Sequence, residues 1–263
     1  MTTPPDNNGI TVIKLGGSTL GAHDTSLRDI ADGRRGGRQI VVVHGGGAAV
    51  SAWLQRTGVE ARFVRGLRVT DAETLEAVVA ILAGAVNKQL VAELSQLGAP
   101  AIGLSGADSM ILQATSYDPE LGFVGRIERV NPFPLEELLR LGYLPVVAPI
   151  AIECDTREAQ LLNTNADTAA GEIAAALHAE RLVFLTDVEG VLAKDGKLLA
   201  RLSPAEANAL IASGVAGGGM IPKLEAAARA ATAGCATRII DGTAAAALAR
   251  LFAGDPLGTT ITA

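Results

Sequence analysis

Hydrophobic residues along this chain cluster into short runs of Val, Ile and Leu, and longer segments with helical spacing separate these runs. The runs predict β-strands at residues 10–15, 39–44, 99–105, 145–152, 181–188 and 237–242. Most positions within a run are apolar, with little alternation between polar and apolar side chains. That pattern is typical of parallel strands that are buried on both faces of a sheet.

The segments between the runs predict helices at residues 25–33, 47–57, 71–97, 134–141, 167–178, 204–213 and 221–233. The alternation of strands and helices predicts an α/β fold in which helices cover both faces of a mainly parallel sheet. Residues 112–131 depart from the alternation and read as a β-hairpin, with a turn at Asp118 and Pro119.

The expected place for a ligand follows from this fold class, because open α/β sheets bind ligands outside the carboxyl ends of their strands. Most segments with the features of a substrate site come before residue 180, whereas "LTDVEGVL" and "GGGMIPK" follow it. This distribution predicts two regions, residues 1–180 and residues 181–263.

Composition and charge argue against several classes of function. The chain has 263 residues and a formal net charge of −6, which disfavours nucleic acid as the main partner. Cys154 and Cys235 are far apart, and the sequence has no CxxC or Cys/His cluster, so neither a disulfide framework nor a metal site is indicated. The sequence has no uncharged apolar run of about 18 residues and no N-terminal signal region, which predicts a cytoplasmic protein without membrane association.

Lysine is rare in this chain, since five of the 22 basic residues are lysines. One of them, Lys14, ends the first predicted strand and precedes Gly16 and Gly17. Glycine lets a backbone N–H approach a ligand closely, and an ammonium group beside it suits a phosphate chain. A tight turn with a solvent-facing lysine is the alternative, because turns commonly use glycine.

A second glycine turn, His44-Gly45-Gly46-Gly47, follows the next strand and opens a predicted helix. The unpaired N–H groups and the dipole of such a helix start favour an anion. The turn matches neither the P-loop nor the GxGxxG pattern, which argues against a dinucleotide-dependent oxidoreductase. We predict that His44 is structural, because nothing near it in sequence completes a catalytic triad.

Three further segments place polar residues near predicted helix starts. Arg68, in "RGLRVTD", can clamp a carboxylate, although taken alone a solvated arginine before a helix cap is the simpler interpretation. Asn163, Asn165 and Asp167, in "NTNADTAAGEIAAAL", supply more polar groups than one helix cap requires. Lys223 follows the glycines of "GGGMIPK". Two lysines and glycine N–H groups in one place would stabilise negative charge on a transferring phosphoryl group.

In this order, the segments resemble the amino acid kinase family and, within it, the acetylglutamate kinase subfamily. The matching segments are "IKLGGS", "VVVHGGG", "GLRVTD", "GFVGRIERVNP", "GYLPVVAPI", "NTNADTAAGEIAAAL", "LTDVEGVL" and "GGMIPKLEAA". They extend from residue 12 to about residue 228. Each segment is a weak match by itself, but the ordered set is specific.

The resemblance implies an open three-layer αβα sandwich with a mainly parallel central sheet. It implies that residues 1–180 bind N-acetyl-L-glutamate and form a homodimer, and that residues 181–263 bind ATP. The implied reaction is phosphorylation of the side-chain carboxylate of N-acetyl-L-glutamate by ATP and Mg²⁺, the second step of arginine biosynthesis. An ionised carboxylate is already a nucleophile at pH 7, which agrees with a site that offers no catalytic His, Ser or Cys.

The resemblance also assigns roles to single residues. Lys14 and Lys223 resemble the lysines that stabilise the phosphoryl group, and Asp167 resembles the aspartate that orients both. The residues that would hold acetylglutamate are Gly45, Gly46, Arg68 and Asn163. The residues that would contact the nucleotide are Lys14, Gly16, Gly17, Asp187, Gly190 and Lys223, with Gly46 also donating its N–H to a phosphate. The metal would arrive with ATP rather than in a site of the protein.

Two alternatives stay open. A kinase of an aminoadipate derivative in lysine biosynthesis would act on a substrate one methylene longer, and a methylene gives only about 1–3 kcal/mol of discrimination. A non-catalytic sensor of amino acids or nucleotides could use the same sandwich. Loss of either lysine or of Asp167 would indicate a sensor, and the sequence retains all three.

Regulation by arginine is not expected. Arginine-inhibited relatives resemble one another in an additional N-terminal helix that links dimers into a hexamer. Only "MTTPPDNNG" precedes the first strand, and a segment with two prolines and fewer than about 12 residues makes a poor helix. The apolar stripe of helix 71–97 is either core or a dimer interface. Because "MTTPPDNNG" is not expected to form the additional helix, we predict a homodimer that arginine does not inhibit.

Overall fold

The computed structural model describes residues 9–16, 25–154, 156 and 159–263. Its strands are Thr11–Leu15 (β1), Ile40–His44 (β2), Phe63–Val64 (β3), Leu67–Arg68 (β4), Ala101–Ser105 (β5), Leu112–Ser116 (β6), Gly125–Val130 (β7), Leu144–Ala148 (β8), Ile150–Glu153 (β9), Leu161–Asn163 (β10), Arg181–Thr186 (β11), Arg201–Leu202 (β12), Ala236–Asp241 (β13) and Thr259–Ile261 (β14). Its α-helices are Ser26–Arg35 (α1), Gly47–Thr57 (α2), Ala72–Val79 (α3), Asn87–Gln96 (α4), Phe133–Arg140 (α5), Ala166–Ala176 (α6), Pro204–Ala212 (α7), Met220–Thr232 (α8) and Ala247–Ala253 (α9). The predictions about the N-terminal segment before Gly9 and about Gly17 lie outside the described residues.

The central sheet has eight strands in the order β12-β14-β13-β11-β1-β2-β8-β5. Its neighbouring strands are parallel except for the antiparallel pair β13 and β14. The chain proceeds from β1 to β2 on one side, and β11 lies on the other side of β1. The carboxyl end of β1 is therefore at the point where the strand order reverses, which is where such sheets bind ligands.

Helices cover both faces of this sheet, as the alternating pattern predicted. Val12 of β1 packs into one core with α5, α6 and α8, whereas Ile13 and Leu15 pack into another core with α1, α4 and α9. Successive side chains of a strand point to opposite faces, so one buried strand supplies both cores. The fold is a three-layer αβα sandwich with a mainly parallel central sheet, which confirms the predicted class.

A second sheet has four strands in the order β10-β9-β6-β7. It contains the hairpin predicted at 112–131, because β6 and β7 pair antiparallel. The prediction of one strand over 145–152 is wrong, since the chain forms β8 in the large sheet and β9 in the small sheet, with Pro149 between them. Proline has no N–H to donate to a ladder, which favours a break there.

The helix predicted at 71–97 is continuous but not uniformly α-helical. A π-helical segment, Ala80–Val86, joins α3 to α4, and Asp71 caps the start by accepting the Thr74 N–H at 2.8 Å. The span Ala72–Gln96 is long and apolar enough to cross a membrane by length and composition alone. It packs on the central sheet against β5 and β8, so we interpret it as a helix of the outer layer.

The central sheet continues across residue 180. Strand β11 begins at Arg181 and pairs in parallel with the whole of β1, from Thr11 opposite Arg181 to Leu15 opposite Leu185. Helix α9 and the short strands β3, β4, β10, β12 and β14 were not predicted. They have two to seven residues each, too few for a clear periodic pattern.

Candidate active site

Two lysines and one aspartate from three separate elements meet at the end of β1. Lys14 Nζ lies 2.8 Å from Asp167 Oδ1, and Lys223 Nζ lies 3.2 Å from Asp167 Oδ2. Lys14 and Asp167 are buried, at 7% and 5% exposure. Each carboxylate oxygen therefore faces one ammonium group, and the cluster as a whole carries one surplus positive charge. The sequence predicted that these residues converge, and the structure brings them together.

Helix starts position the aspartate and the second lysine. Asn165 caps α6 by accepting the N–H groups of Asp167 and Thr168 at 2.8 and 3.0 Å. Asp167 is therefore free of the capping role and sits in the first turn, where the helix dipole stabilises a carboxylate. Lys223 lies in the first turn of α8 and also donates to the Gly219 carbonyl at 3.2 Å.

The close approach of α6 and α8 requires a glycine. A Cβ at Gly171 would lie 2.9 Å from the Cβ of Ala226 and 3.0 Å from its carbonyl oxygen. The two helices touch backbone to backbone at this point, one turn beyond Asp167. This contact lets the side chains of Asp167 and Lys223 reach each other across the helix pair.

A cavity of about 200 Å³ adjoins the cluster. Lys14 and Asp167 line one part of it, and Arg68 and Phe63 line another. The remaining lining residues are glycines, apolar residues and the polar segment before α6: Gly45, Gly46, Gly47, Val50, Gly66, Leu67, Val78, Leu82, Val124, Pro149, Asn163, Thr164, Asn165 and Ala166. The cavity thus has cationic groups in two places and apolar walls.

Arg68 is a buried cation with an unused donor. Its Nη2 donates to the Gly47 carbonyl at 2.9 Å and to Ser51 Oγ at 2.8 Å, and its guanidinium lies 4.7 Å from the centre of the Phe63 ring. Within the described residues, its buried Nη1 has no hydrogen-bond partner. Burial lowers the pKa of the Arg68 guanidinium. The solvated-arginine interpretation is therefore wrong, and a carboxylate ligand would satisfy both the charge and the donor.

Asn163 joins Arg68 through a threonine that the sequence analysis did not assign to the site. The Asn163 side-chain amide donates to Thr70 Oγ1 at 3.1 Å, and the Thr70 hydroxyl donates to the Arg68 carbonyl at 2.9 Å. Thr70 is fully buried. Ser51 and Phe63 were also missed, because they reach Arg68 only through the folded chain.

The second glycine turn faces the same cavity. Gly45 and Gly46 line it, and the Gly45 N–H donates to the Leu15 carbonyl at 3.0 Å, which ties the ends of β1 and β2 together. Gly46 has φ +149°, and a Cβ there would lie 2.6 Å from Leu82 Cδ2. Only glycine fits at this position. Gly16 lines a neighbouring cavity of about 90 Å³ together with Gly45 and Gly46.

Asp187 and Gly190 do not line the cavity beside Lys14. They follow β11, whose pairing with β1 places Asp187 at the same sheet edge as Gly16. Gly190 has φ +155°, and a Cβ there would lie 2.7 Å from Thr259 Oγ1, so it has a structural reason to be glycine. Their contact with a nucleotide stays a prediction.

No metal site is present among the residues that the structure describes: none of their His, Cys, Asp and Glu side chains form a group of three. Both oxygens of Asp167 face lysines, so this carboxylate does not fit the role of a metal ligand.

Comparison with known proteins agrees with the fold. The model of the amino acid kinase family matches residues 9–241, and the chain belongs to this family. The acetylglutamate kinase of Dehalococcoides mccartyi strain BAV1 is 46% identical over 259 residues, which cover 97% of this chain and 95% of the relative. The acetylglutamate kinase of Solibacter usitatus is 45% identical over 252 residues, which cover 94% and 97%.

A solved structure extends the comparison. The N-acetylglutamate synthase of Neisseria gonorrhoeae, complexed with coenzyme A and N-acetyl-glutamate, superposes with a TM-score of 0.83 at 26% identity. The match covers 97% of this chain and 60% of that chain.

Proposed function

We propose that this chain transfers the γ-phosphoryl group of ATP to the side-chain carboxylate of N-acetyl-L-glutamate, in the second step of arginine biosynthesis. Relatives named acetylglutamate kinase, similar over nearly the whole chain, support the activity. The observation that carries the proposal is the cavity with Asp167-bound Lys14 on one side and, on the other, Arg68 Nη1, which has no partner among the described residues.

The substrate's two carboxylates suit the two cationic places. Arg68 would bind the α-carboxylate through Nη1, with Asn163 beside it, and the apolar walls would hold the carbon chain. The side-chain carboxylate would then lie towards Lys14 and the Gly45-Gly46 turn. Holding both ends in one geometry lowers the entropic part of the barrier.

The chemical step needs no general base from the protein. An oxygen of the ionised side-chain carboxylate forms a bond to the γ-phosphorus, the bond from that phosphorus to the bridging oxygen of ADP breaks, and ADP leaves with the electron pair. Catalysis then rests on positioning and on stabilisation of charge. Mg²⁺, which we propose enters with ATP, would neutralise charge on the phosphates.

Lys14 and Lys223 would stabilise the phosphoryl group as it moves. Asp167 balances one of their two charges and fixes both ammonium groups in place before the reaction begins. Preorganised donors of this kind stabilise a transition state without any cost of reorganisation at the moment of transfer.

We place the nucleotide at the carboxyl edge between β1 and β11, against residues 181–263. Gly16 and Asp187 lie at this edge. The other nucleotide contacts that the resemblance assigns are Lys14, Gly17, Gly190 and Lys223. In this arrangement residues 1–180 would hold acetylglutamate, and the phosphoryl group would pass between the two regions.

We propose that the protein is cytoplasmic and that it forms a homodimer through the helix Ala72–Gln96. Only 33% of the most apolar window of this helix is buried within one chain. An apolar groove of about 750 Å³ lies between this helix and α2, and Trp53 and Ala85 line it. Light scattering would give the mass: Ala85→Asp should yield a monomer, whereas Ala209→Asp on the exposed face of α7 should remain a dimer.

Initial rates of ADP release test the activity. The proposal predicts turnover that depends on N-acetyl-L-glutamate and on MgATP. Faster turnover of the aminoadipate derivative, one methylene longer, would assign the chain to lysine biosynthesis instead. Binding of both ligands without turnover would indicate a sensor.

A further inference from the structure

A buried histidine contacts the glycine turn that lines the cavity. His44 ends β2 and is 1% exposed. Its Nε2 lies 3.1 Å from Asn87 Nδ2, and its Nδ1 lies 2.7 Å from the Gly45 carbonyl oxygen. Asn87 is fully buried and is the first residue of α4, directly after the π-helical segment.

The surroundings of Asn87 determine which ring nitrogen carries the proton. Asn87 Nδ2 is also 2.9 Å from the Val146 carbonyl and 3.2 Å from the Leu104 carbonyl, whereas its Oδ1 accepts from Lys88 Nζ at 3.0 Å. Carbonyl oxygens only accept, so the side-chain amide must present its NH₂ group to them and to His44. His44 Nε2 is therefore the acceptor, and Nδ1–H donates to Gly45.

The ring stays neutral in this environment. Burial, the Gly45 carbonyl and the charge of Lys88 together set the pKa of His44 at about 4: burial lowers it most, the hydrogen bond to Gly45 raises it, and Lys88 lowers it. At neutral pH the side chain is thus a fixed dipole with its N–H directed at one carbonyl oxygen.

That hydrogen bond fixes the next peptide group. A peptide unit is planar and trans, so the Gly45 carbonyl and the Gly46 N–H point in opposite directions. With the oxygen held by His44, the N–H of Gly46 faces away from the ring. Gly46 lines the cavity, and within the described part of the chain its N–H makes no hydrogen bond.

We propose that His44, oriented by Asn87, is a positioning residue that locks the Gly45–Gly46 peptide so that the Gly46 N–H donates to the phosphoryl group in transfer. This inference rests on the proposed kinase function. Glycine on both sides of this peptide makes the lock necessary, because two glycines leave the peptide free to rotate.

Three substitutions at His44 separate positioning from packing. In His44→Asn, the side-chain amide nitrogen lies near the position of Nδ1 and keeps the donor to Gly45, so kcat should stay within about threefold of the wild-type value. Gln and Ala lose the donor to Gly45, and we expect kcat to fall about 10–100-fold with KM for both substrates changed less than threefold. That loss stays below the ~10²–10³-fold effect of deleting a transition-state donor outright. His178→Asn, at an exposed histidine, is the matched control and should match the wild type.

Histidine ¹⁵N spectra test the proton position without any assay. The chain has three histidines, and His44 should show a protonated Nδ1 and an unprotonated Nε2 from pH 5.5 to pH 8. A protonated Nε2, or full kcat in His44→Ala, would overturn the inference. An inactive wild type whose spectrum shows protonated Nδ1 would refute the kinase proposal and leave the ring geometry standing.

Discussion

The cationic groups at the two ends of the site, the Lys14–Lys223 pair and Arg68, differ in how their charge is balanced. Lys14 and Lys223 share the carboxylate of Asp167, whereas Arg68 has a carbonyl, a hydroxyl and an aromatic ring as partners but no carboxylate among the described residues. A buried cation without a counter-ion is completed by an anionic ligand. A pair of cations already held by an anion is fixed in place and retains one surplus charge. The arrangement at Arg68 suits ground-state binding, and the arrangement at Lys14 and Lys223 suits stabilisation of a transition state.

Removal of the shared carboxylate should have the largest effect. Asp167→Asn keeps the shape but leaves two ammonium groups facing each other, so we expect kcat to fall about 10³-fold or more, at or beyond the effect of losing one donor. Steady-state kinetics would measure this. Asp195→Asn, at an exposed aspartate, is the control. A loss of kcat below tenfold in Asp167→Asn would contradict the orienting role of Asp167.

Removal of either lysine should act mainly on kcat. Lys14→Ala and Lys223→Ala each remove one donor that is used in the transition state, so we expect a loss of about 10²–10³-fold in kcat. The KM for N-acetyl-L-glutamate should change much less. Lys197→Ala, at a lysine whose side chain is 84% exposed, is the control and should match the wild type. Near-normal kcat in either site variant would reject its role.

Substitution of Arg68 should act on binding instead. Arg68→Lys keeps the charge but loses the planar pair of donors, so the KM for N-acetyl-L-glutamate should rise about 10-fold or more, by the ~1.5–3 kcal/mol typical of a charged hydrogen bond. The KM for ATP should stay close to its wild-type value. A change in the KM for ATP would instead assign Arg68 to nucleotide binding and contradict its role in binding N-acetyl-L-glutamate.

The smallest effect should come from Ser51. Ser51→Ala removes one hydrogen bond to Arg68 Nη2 and leaves the Gly47 carbonyl contact, so we expect a rise of about 2–10-fold in the KM for N-acetyl-L-glutamate, from ~0.5–1.5 kcal/mol. The kcat should not change. A lowered kcat with an unchanged KM would mean that the arginine end also contributes to the transition state.

The sequence predicted the features that local patterns encode. The buried strands, the glycine turn after β2, Lys14 at the end of β1 and the helix start near Asp167 follow from runs, spacing and residue type. The break at Pro149 was missed although the proline was visible, because "PVVAPIAI" has the apolar composition of one strand on both sides of it. Apolar composition alone does not say which sheet a strand joins.

The contacts that complete the site could not be predicted in this way. Ser51 reaches Arg68 across 17 residues, and Asn87 reaches His44 across 43. These pairs depend on how α2 and the long helix pack against the sheet, and no spacing rule links residues so far apart. His44 was predicted to be structural from what it lacked, whereas its partner and its donor direction required the folded chain.

Trapping of the acyl phosphate would show whether this protein phosphorylates the side-chain carboxylate of N-acetyl-L-glutamate. The purified protein would be incubated with MgATP, N-acetyl-L-glutamate and hydroxylamine, and the products would be identified by mass spectrometry. We expect the γ-hydroxamate of N-acetyl-L-glutamate in an amount equal to the ADP released, and at least about 10²-fold slower formation with Lys14→Ala. Release of ADP without hydroxamate, or no dependence on N-acetyl-L-glutamate, would contradict phosphorylation of the side-chain carboxylate.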